Sequence, residues 1–308
     1  LEVNEGDGDQ RLDRWFRRLF PQVQQGQIER MCRKGDIRVD GGRVKSNTRV
    51  EVGQVVRIPP LPDRAAPPIV RTSVSEAAAR MIQSCVIYRD HHVIALNKPP
   101  GLATQGGSGQ TRHVDGLAEA LTFGMEEKPR LVHRLDKDTS GVLLMAKSKA
   151  AAAVLSQQFA DRTVTKFYLA ITDRKPKKSQ GFISGDMEKA RDGNWMLTQT
   201  QTRPARTQFF SRSLRPGFRA ILLRPLTGRT HQLRVAMGAM AAPILGDKRY
   251  RGKEADRLYL HAYSLAFEFG GAPYQVQCPP TVGSEFEAFF TSEDDPWRAP
   301  QDLPWPKK

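Results

Sequence analysis

Cysteine is scarce in this chain: Cys32, Cys85 and Cys278 are the three in 308 residues, odd in number and far apart. That excludes a disulfide framework and offers no metal-ligand spacing, so all three read as packed thiols. Long apolar runs are also missing. No stretch of about 18 apolar residues occurs, so nothing is expected to span a bilayer, and no lipidation motif suggests a membrane partner. Leu1 to Gln10 carries four acidic and no basic residues and lacks the apolar h-region of a signal peptide, so a cytoplasmic protein is expected. The glycine-rich segment Gln105-Gly106-Gly107-Ser108-Gly109 is not followed by the Gly-Lys-Ser/Thr ending of a phosphate-cradling loop, and a dinucleotide-binding fingerprint is absent. With no His/Cys/carboxylate cluster either, neither cofactor nor metal is expected.

Acidic residues are the minority charge, 33 against 48 Lys and Arg, a formal net charge of +15. The natural partner of such a chain is a polyanion, whose neutralised phosphates release counterions. From Arg11 to Pro60 there are twelve basic and five acidic residues. Leu12, Trp15, Phe16 and Leu19 recur at helical spacing and leave Arg11, Arg14, Arg17 and Arg18 mostly off the apolar stripe. Gln25 to Arg33 predicts a second helix stopped at Gly35, and Ile37 to Val44 reads as strand, turn, strand. Val50, Val52, Val55, Val56 and Ile58 suggest further short strands, with Arg33, Lys34, Arg38, Arg43, Lys45 and Arg49 clustered near the turns.

Prolines 59, 60, 62, 67 and 68 then make a stiff segment that predicts a domain boundary. The expected division is a domain over 1–60, a Pro-rich linker over 61–80 and a larger body over 81–308. In that body a helix is predicted near Ser75 to Ile82, with paired strands at Val86–Tyr88 and Val93–Leu96. Another helix is predicted over Ala150–Phe159, followed by a strand from about Val164 to Ile171. Alternating patterns at Arg206–Phe210, Arg219–Leu223 and Leu258–Phe267 continue a mostly β architecture. The segment Glu293–Lys308, with Trp297 and Trp305, either packs as a strap or frays.

Two motifs carry chemistry. His133-Arg134-Leu135-Asp136-Lys137-Asp138-Thr139-Ser140-Gly141 sets one carboxylate, Asp136, among basic residues just before the apolar run Val142 to Met145. A carboxylate kept ionised in that way suits nucleophilic or electrostatic catalysis better than proton donation. Leu226-Thr227-Gly228-Arg229-Thr230-His231-Gln232-Leu233-Arg234 is the second.

Together these segments resemble the large-subunit rRNA pseudouridine synthases. Arg33-Lys-Gly-Asp-Ile-Arg-Val-Asp-Gly41, ahead of them, resembles the S-four RNA-binding module. Asn97-Lys-Pro-Pro-Gly-Leu-Ala-Thr-Gln-Gly-Gly-Ser-Gly109 supports the subtype that carries this module at its N-terminus. The resemblance runs from about Arg11 to about Phe290. It implies an α+β chain: a small N-terminal RNA-binding module, then a predominantly antiparallel β catalytic domain with flanking helices. It implies an isomerase that turns specific uridines of large-subunit rRNA into pseudouridine, with the target base flipped out and no cofactor. Asp136 falls on the family's catalytic aspartate. Tyr168 falls on the tyrosine expected to lie against the uracil ring, and Arg229 on the expected ion-pair partner of the aspartate. Arg134 falls on the arginine thought to enter the RNA stack as the base leaves. Arg14, Arg17, Arg33, Lys34, Arg38, Arg43 and Lys45 are the expected RNA contacts of the N-terminal module. His133 and His231 sit beside these residues and read as hydrogen-bonded structural groups. Two positions depart from the pattern: Gln105 and Ala236 stand where histidine is common. The partner implied is ribosomal RNA or a pre-ribosomal particle bound by a monomer. Action on tRNA or another structured RNA is the alternative, and a non-catalytic rRNA-binding assembly factor is the reading from another class.

Overall fold

The computed structural model describes residues 1–5, 8–61, 74–106, 112–290 and 292–307. The chain divides into two compact units, Leu1–Ser73 and Val74–Lys308. Most of the proline-rich segment, 62–73, and Gly107 to Gly109 lie outside the described residues.

The first unit contains β1 (Gln10–Arg11), α1 (Leu12–Leu19), α2 (Gln25–Lys34), β2 (Arg38–Val39), β3 (Gly42–Arg43), β4 (Arg49–Val50) and β5 (Val56–Arg57). The predicted apolar stripe is the buried face of α1: Leu12, Trp15 and Phe16 pack with Ile28 and Cys32 of α2 and with Ile37, Val39, Val50 and Val56. Helix α2 ends at Gly35, whose φ of 81° is a left-handed conformation open to glycine without strain. Asp40 and Gly41, at φ 48° and 76°, form the two-residue hairpin turn between β2 and β3. Arg38 donates to the carbonyls of Gly35 (3.2 Å) and Gly41 (3.1 Å), so its guanidinium braces this turn. Arg14, Arg17, Arg33, Lys34, Arg43 and Lys45 are exposed.

The second unit runs α3 (Glu76–Ser84), β6 (Val86–Arg89), β7 (Val93–Lys98), α4 (Val114–Leu117), β8 (Arg130–Leu131), β9 (Ser140–Ala146), α5 (Lys149–Asp161) and β10 (Thr165–Thr172). It continues with β11 (Gln180–Lys189), β12 (Trp195–Thr198), β13 (Ala205–Arg215), β14 (Phe218–Pro225), α6 (Gln232–Ala239), β15 (Leu260–Phe269) and β16 (Ala272–Gln277). One eleven-stranded sheet takes the order β12-β11-β13-β14-β10-β15-β9-β7-β6, with β16 beside β15 and β8 beside β9. Its described pairings are antiparallel except β9 with β15. The fold is therefore mixed α and β with a mostly antiparallel sheet, as expected.

The central strand β9 is buried along its whole length, which is why its sequence is a continuous apolar run rather than an alternation. Val142 and Leu144 pack toward Ala151 and Leu155 of α5. Leu143 and Met145 pack toward Ile82 of α3 and Leu117 of α4. At the start of β9, Gly141 has φ 105°, and a Cβ there would lie 2.1 Å from the carbonyl oxygen of Ala262 on β15. Only glycine lets these two strands approach. The C-terminal segment packs as a strap: Trp297 and Trp305 are buried in the core of β10, β13, β14 and β15, and the Trp305 ring stacks on Phe167 at 5.5 Å.

Candidate active site

Asp136 lies in the loop that leads into β9, and that loop is held from both sides. Thr104 Oγ1 donates to the carbonyl of Leu135 (2.8 Å) and accepts its N–H (3.1 Å). Gly101 N–H and Lys98 Nζ both donate to the carbonyl of Lys137, at 3.0 and 2.9 Å. Lys98 is fully buried, and its ammonium also reaches the carbonyls of Leu102 (2.7 Å) and Pro99 (3.0 Å). Burial pushes Lys98 down to about 7, opposed by the charges of Asp138 and Asp136. The Asn97-Lys98-Pro99-Pro100-Gly101 turn therefore acts as the clamp on the aspartate loop.

On the β15 side, Arg257 donates to Ser140 Oγ, which pairs with His261 Nδ1 at 2.8 Å. His261 Nε2 lies 2.7 Å from the carbonyl of Cys278. A carbonyl only accepts, so Nε2 carries the proton and Nδ1 accepts from the serine hydroxyl. His261 is 1% exposed, and desolvation lowers its pKa from 6.5 to about 4, against the help of the Cys278 carbonyl. The folded protein resists protonation there while the unfolded chain takes a proton near 6.5. Stability is thus complete above that pH and is lost as the pH falls toward about 4, by about 3 kcal/mol for this group. Urea titrations at pH 7 and pH 4 should show this loss in the wild type and not in His261→Gln. Equal pH sensitivity of the two proteins would refute it.

Asp136 opens onto a cavity of about 350 Å3, within the range of small-molecule sites. Arg134, Tyr168, Arg229, His231 and Arg234 share its lining. Tyr168 projects from β10 at a register shift between Phe167 and Tyr168. Burial, and then the charge of Asp136, raise its phenol above the usual range, so the hydroxyl keeps its proton. Arg134 is exposed and borders both this cavity and a second one of about 810 Å3 that Asp136 and Gln105 also line.

The expected pairing of Asp136 with Arg229 is corrected by the geometry. The guanidinium that reaches the carboxylate belongs to Arg234, with Nη1 3.9 Å from Asp136 Oδ2. His231 Nε2 stands 4.0 Å from the same oxygen. The reason is local: the chain turns into α6 at Gln232, so Arg234 lies inside the first turn of a helix, whereas Arg229 remains in the exposed loop before it. Gln232 holds that loop, accepting the Arg229 N–H (3.0 Å) and the Thr227 hydroxyl (2.7 Å) while donating to Thr207 and to the Arg206 carbonyl.

Arg234 is itself fixed by Asp247, which no sequence motif marks. The two form a bidentate pair at 2.8 and 2.7 Å, and the Asp247 side chain is completely buried. Asp247 also accepts the N–H groups of Arg249 and Tyr250, and the Tyr250 hydroxyl meets His231 Nδ1 at 2.8 Å. Such forked pairing sets the plane of a guanidinium, leaving one edge of Arg234 for Asp136. A sequence signal for it existed: Arg234 lies between Leu233 and Val235, and a buried arginine requires a carboxylate.

His133 is structural. Its ring stacks on Phe159 at 4.4 Å, Nε2 accepts the Leu144 N–H at 2.8 Å, and burial lowers its pKa to about 3. Of the two departures, Gln105 faces the second cavity, whereas Ala236 is packed in the core and lines neither cavity. Among the described residues no group of three or more His, Cys, Asp or Glu is placed to hold a metal ion, and no helix is long and apolar enough to cross a membrane.

The pattern of the RNA pseudouridylate synthase family matches residues 92–239, and that of the S4 domain matches residues 10–56. An uncharacterized RNA pseudouridine synthase of Haemophilus influenzae is 43% identical over 201 residues, 64% of this chain and 88% of that protein. The ribosomal large subunit pseudouridine synthase C of Vibrio vulnificus is 33% identical over 303 residues, 95% of both chains. Human RNA pseudouridylate synthase domain containing 4 superposes with a TM-score of 0.57 at 26% identity, over 69% of this chain and 94% of that one.

Proposed function

The chain belongs to the RNA pseudouridylate synthase family, and from that premise we propose that it isomerises specific uridines of large-subunit ribosomal RNA, with Asp136 as the reacting carboxylate. The observation that carries this reading is the single carboxylate at a cavity shared with Tyr168 and faced by a fixed guanidinium. The reaction breaks the bond from N1 of uracil to C1′ of the ribose, turns the base while it stays bound, and joins C5 to C1′. The hydrogen on C5 leaves as a proton and N1 gains one, so nothing is oxidised or hydrolysed. Asp136 supplies either a covalent partner for C1′ or an anion beside a cationic sugar. Arg234 faces that carboxylate with a positive charge held in place by Asp247. Tyr168 lies against the base as a neutral phenol.

A uridine in a helix does not expose C5 to such a cavity, so the base is extruded, at a cost of a few kcal/mol. Arg134, exposed and without a hydrogen-bond or ion-pair partner among the described residues, is the side chain available to fill the gap. The exposed basic residues of the N-terminal module supply salt-sensitive attraction for the surrounding RNA. Mapping pseudouridine in total RNA from cells with and without this protein tests the reading. Loss at a few large-subunit positions is expected. Loss confined to tRNA would change the substrate, and unchanged maps in all stable RNA would leave a binding factor instead.

A further inference from the structure

Most arginines of the second unit whose side chains brace the fold have clear partners: Arg212 with Asp295, Arg215 with Glu285, Arg234 with Asp247, Arg249 with Asn194 and Arg257 with Ser140. Four others converge on one polar cavity of about 440 Å3: Arg162, Arg203, Arg206 and Arg229. None of their guanidinium groups has a hydrogen-bond or ion-pair partner among the described residues. Among the described residues no carboxylate lines this cavity, and the acids nearby, Asp186 and Glu188, line an adjoining one with Arg203 and Arg229. Four like charges facing one space repel one another, and the fold gains little from bringing them together.

Their backbones are nevertheless firmly placed. Arg162 caps α5 at φ 65°, a position that favours glycine or asparagine and that holds a long cation here. The N–H groups of Thr202 and Arg203 are tied to the Asp186 carboxylate at 2.9 and 2.8 Å, which fixes the turn by its main chain and leaves the Arg203 side chain free. Arg206 is exposed between buried Ala205 and Thr207 on β13, and its carbonyl accepts from Gln232 of the active-site loop (2.9 Å). Arg229 borders both this cavity and the catalytic one, so the two adjoin.

We propose that Arg162, Arg203, Arg206 and Arg229 form a phosphate-binding subsite that grips the RNA backbone next to the extruded uridine. The inference rests on the uridine-isomerase reading and adds to it where the substrate strand runs. Guanidinium forks match phosphodiester oxygens in geometry and charge, and fixing the backbone beside the target nucleotide contributes orientation as well as affinity. It also gives Arg229 a role consistent with its place outside the Asp136 ion pair.

The test compares wild type with Arg162→Gln/Arg203→Gln/Arg206→Gln and with the corresponding triple lysine variant. Each is measured for binding to unmodified large-subunit rRNA transcript across a range of NaCl concentrations and for single-turnover conversion at saturating enzyme. Because glutamine neutralises no phosphate, the slope of log K against log [salt] should shrink by about 2 to 3 in the glutamine variant. The saturating rate should fall as well, by roughly tenfold, because the strand beside the target nucleotide is no longer held in orientation. The lysine variant, keeping the charge, should retain most of the slope. An unchanged affinity and slope in a folded glutamine variant would overturn the subsite. Should the glutamine variant not fold, ethylation interference on wild type decides: ethylated phosphates within a few nucleotides of the bound target must be depleted from the bound RNA, and uniform recovery rejects the proposal. A wild type that binds with the expected slope but converts no uridine would sink the isomerase reading and leave the arginine subsite standing.

Discussion

Asp136→Asn should bind rRNA within about twofold of wild type and lose pseudouridine formation by a factor on the order of 10⁴ or more, over about 5 kcal/mol of transition-state stabilisation. Asparagine keeps the size and most hydrogen bonding of the side chain but neither attacks C1′ nor balances a cationic sugar. The carboxylate is partly exposed, with a side-chain accessibility of 23%, so the substitution leaves no buried charge unpaired and the fold should persist. Release of tritium from RNA carrying [5-³H]uridine reports the reaction directly, because C5 loses its hydrogen when it joins the sugar. Wild-type release by Asp136→Asn would remove this residue from the chemistry. Loss of RNA binding in step with activity would assign Asp136 to holding the substrate rather than to the chemistry.

The second large effect separates Arg234 from Arg229. Arg234→Met abandons Asp247 as an unpaired charge in a closed interior, a change that costs about 3–5 kcal/mol. It also leaves Asp136 without its guanidinium, which should lower the single-turnover rate by about 10²–10³-fold. Arg229→Met removes an exposed side chain, so its melting temperature should match wild type and its rate should fall far less. Arg234→Met/Asp247→Leu then isolates the two effects. Replacing both members of the buried ion pair with apolar groups should recover part of the stability, less what the Arg249 and Tyr250 N–H groups lose with the Asp247 carboxylate, without restoring the rate. A thermal melt and a tritium-release time course on wild type and these variants check all of this. A catalytic collapse in Arg229→Met alongside a nearly normal Arg234→Met would contradict the geometry around Asp136.

The two motifs are readable because each is contiguous. Asp136 and the arginines around it fall within short stretches of chain, as do the Gly35 stop, the Asp40-Gly41 turn and the buried strand at Val142 to Met145. Local rules apply to all of these: a left-handed cap, a two-residue hairpin, an apolar run buried on both faces. Strands β11 and β12 and helix α6 have no such local mark. β11 is polar and only partly buried, and α6 follows a loop whose turn into a helix is set by the hydrogen bonds of Gln232.

Partnership is the harder question. Arg229 and Arg234 stand five positions apart in one motif, and nothing in their spacing says which approaches Asp136 across the fold. Asp247, in a polar stretch, has the sequence character of a surface acid. Its burial follows from the close approach at Gly246, where a Cβ would lie 1.7 Å from the Arg257 carbonyl oxygen. Lys98 likewise shows its function only once the Asn97 turn meets the loop at Lys137. Composition and periodicity by themselves determined that this is a basic, two-part chain suited to a polyanion, and the motifs carried the resemblance that singles out Asp136, because those properties belong to the covalent order of residues. Which cation holds that acid, what anchors the cation, and how four separated arginines share one cavity were decided only by tertiary structure, since ion pairs and desolvation depend on distances that the chain acquires when it folds.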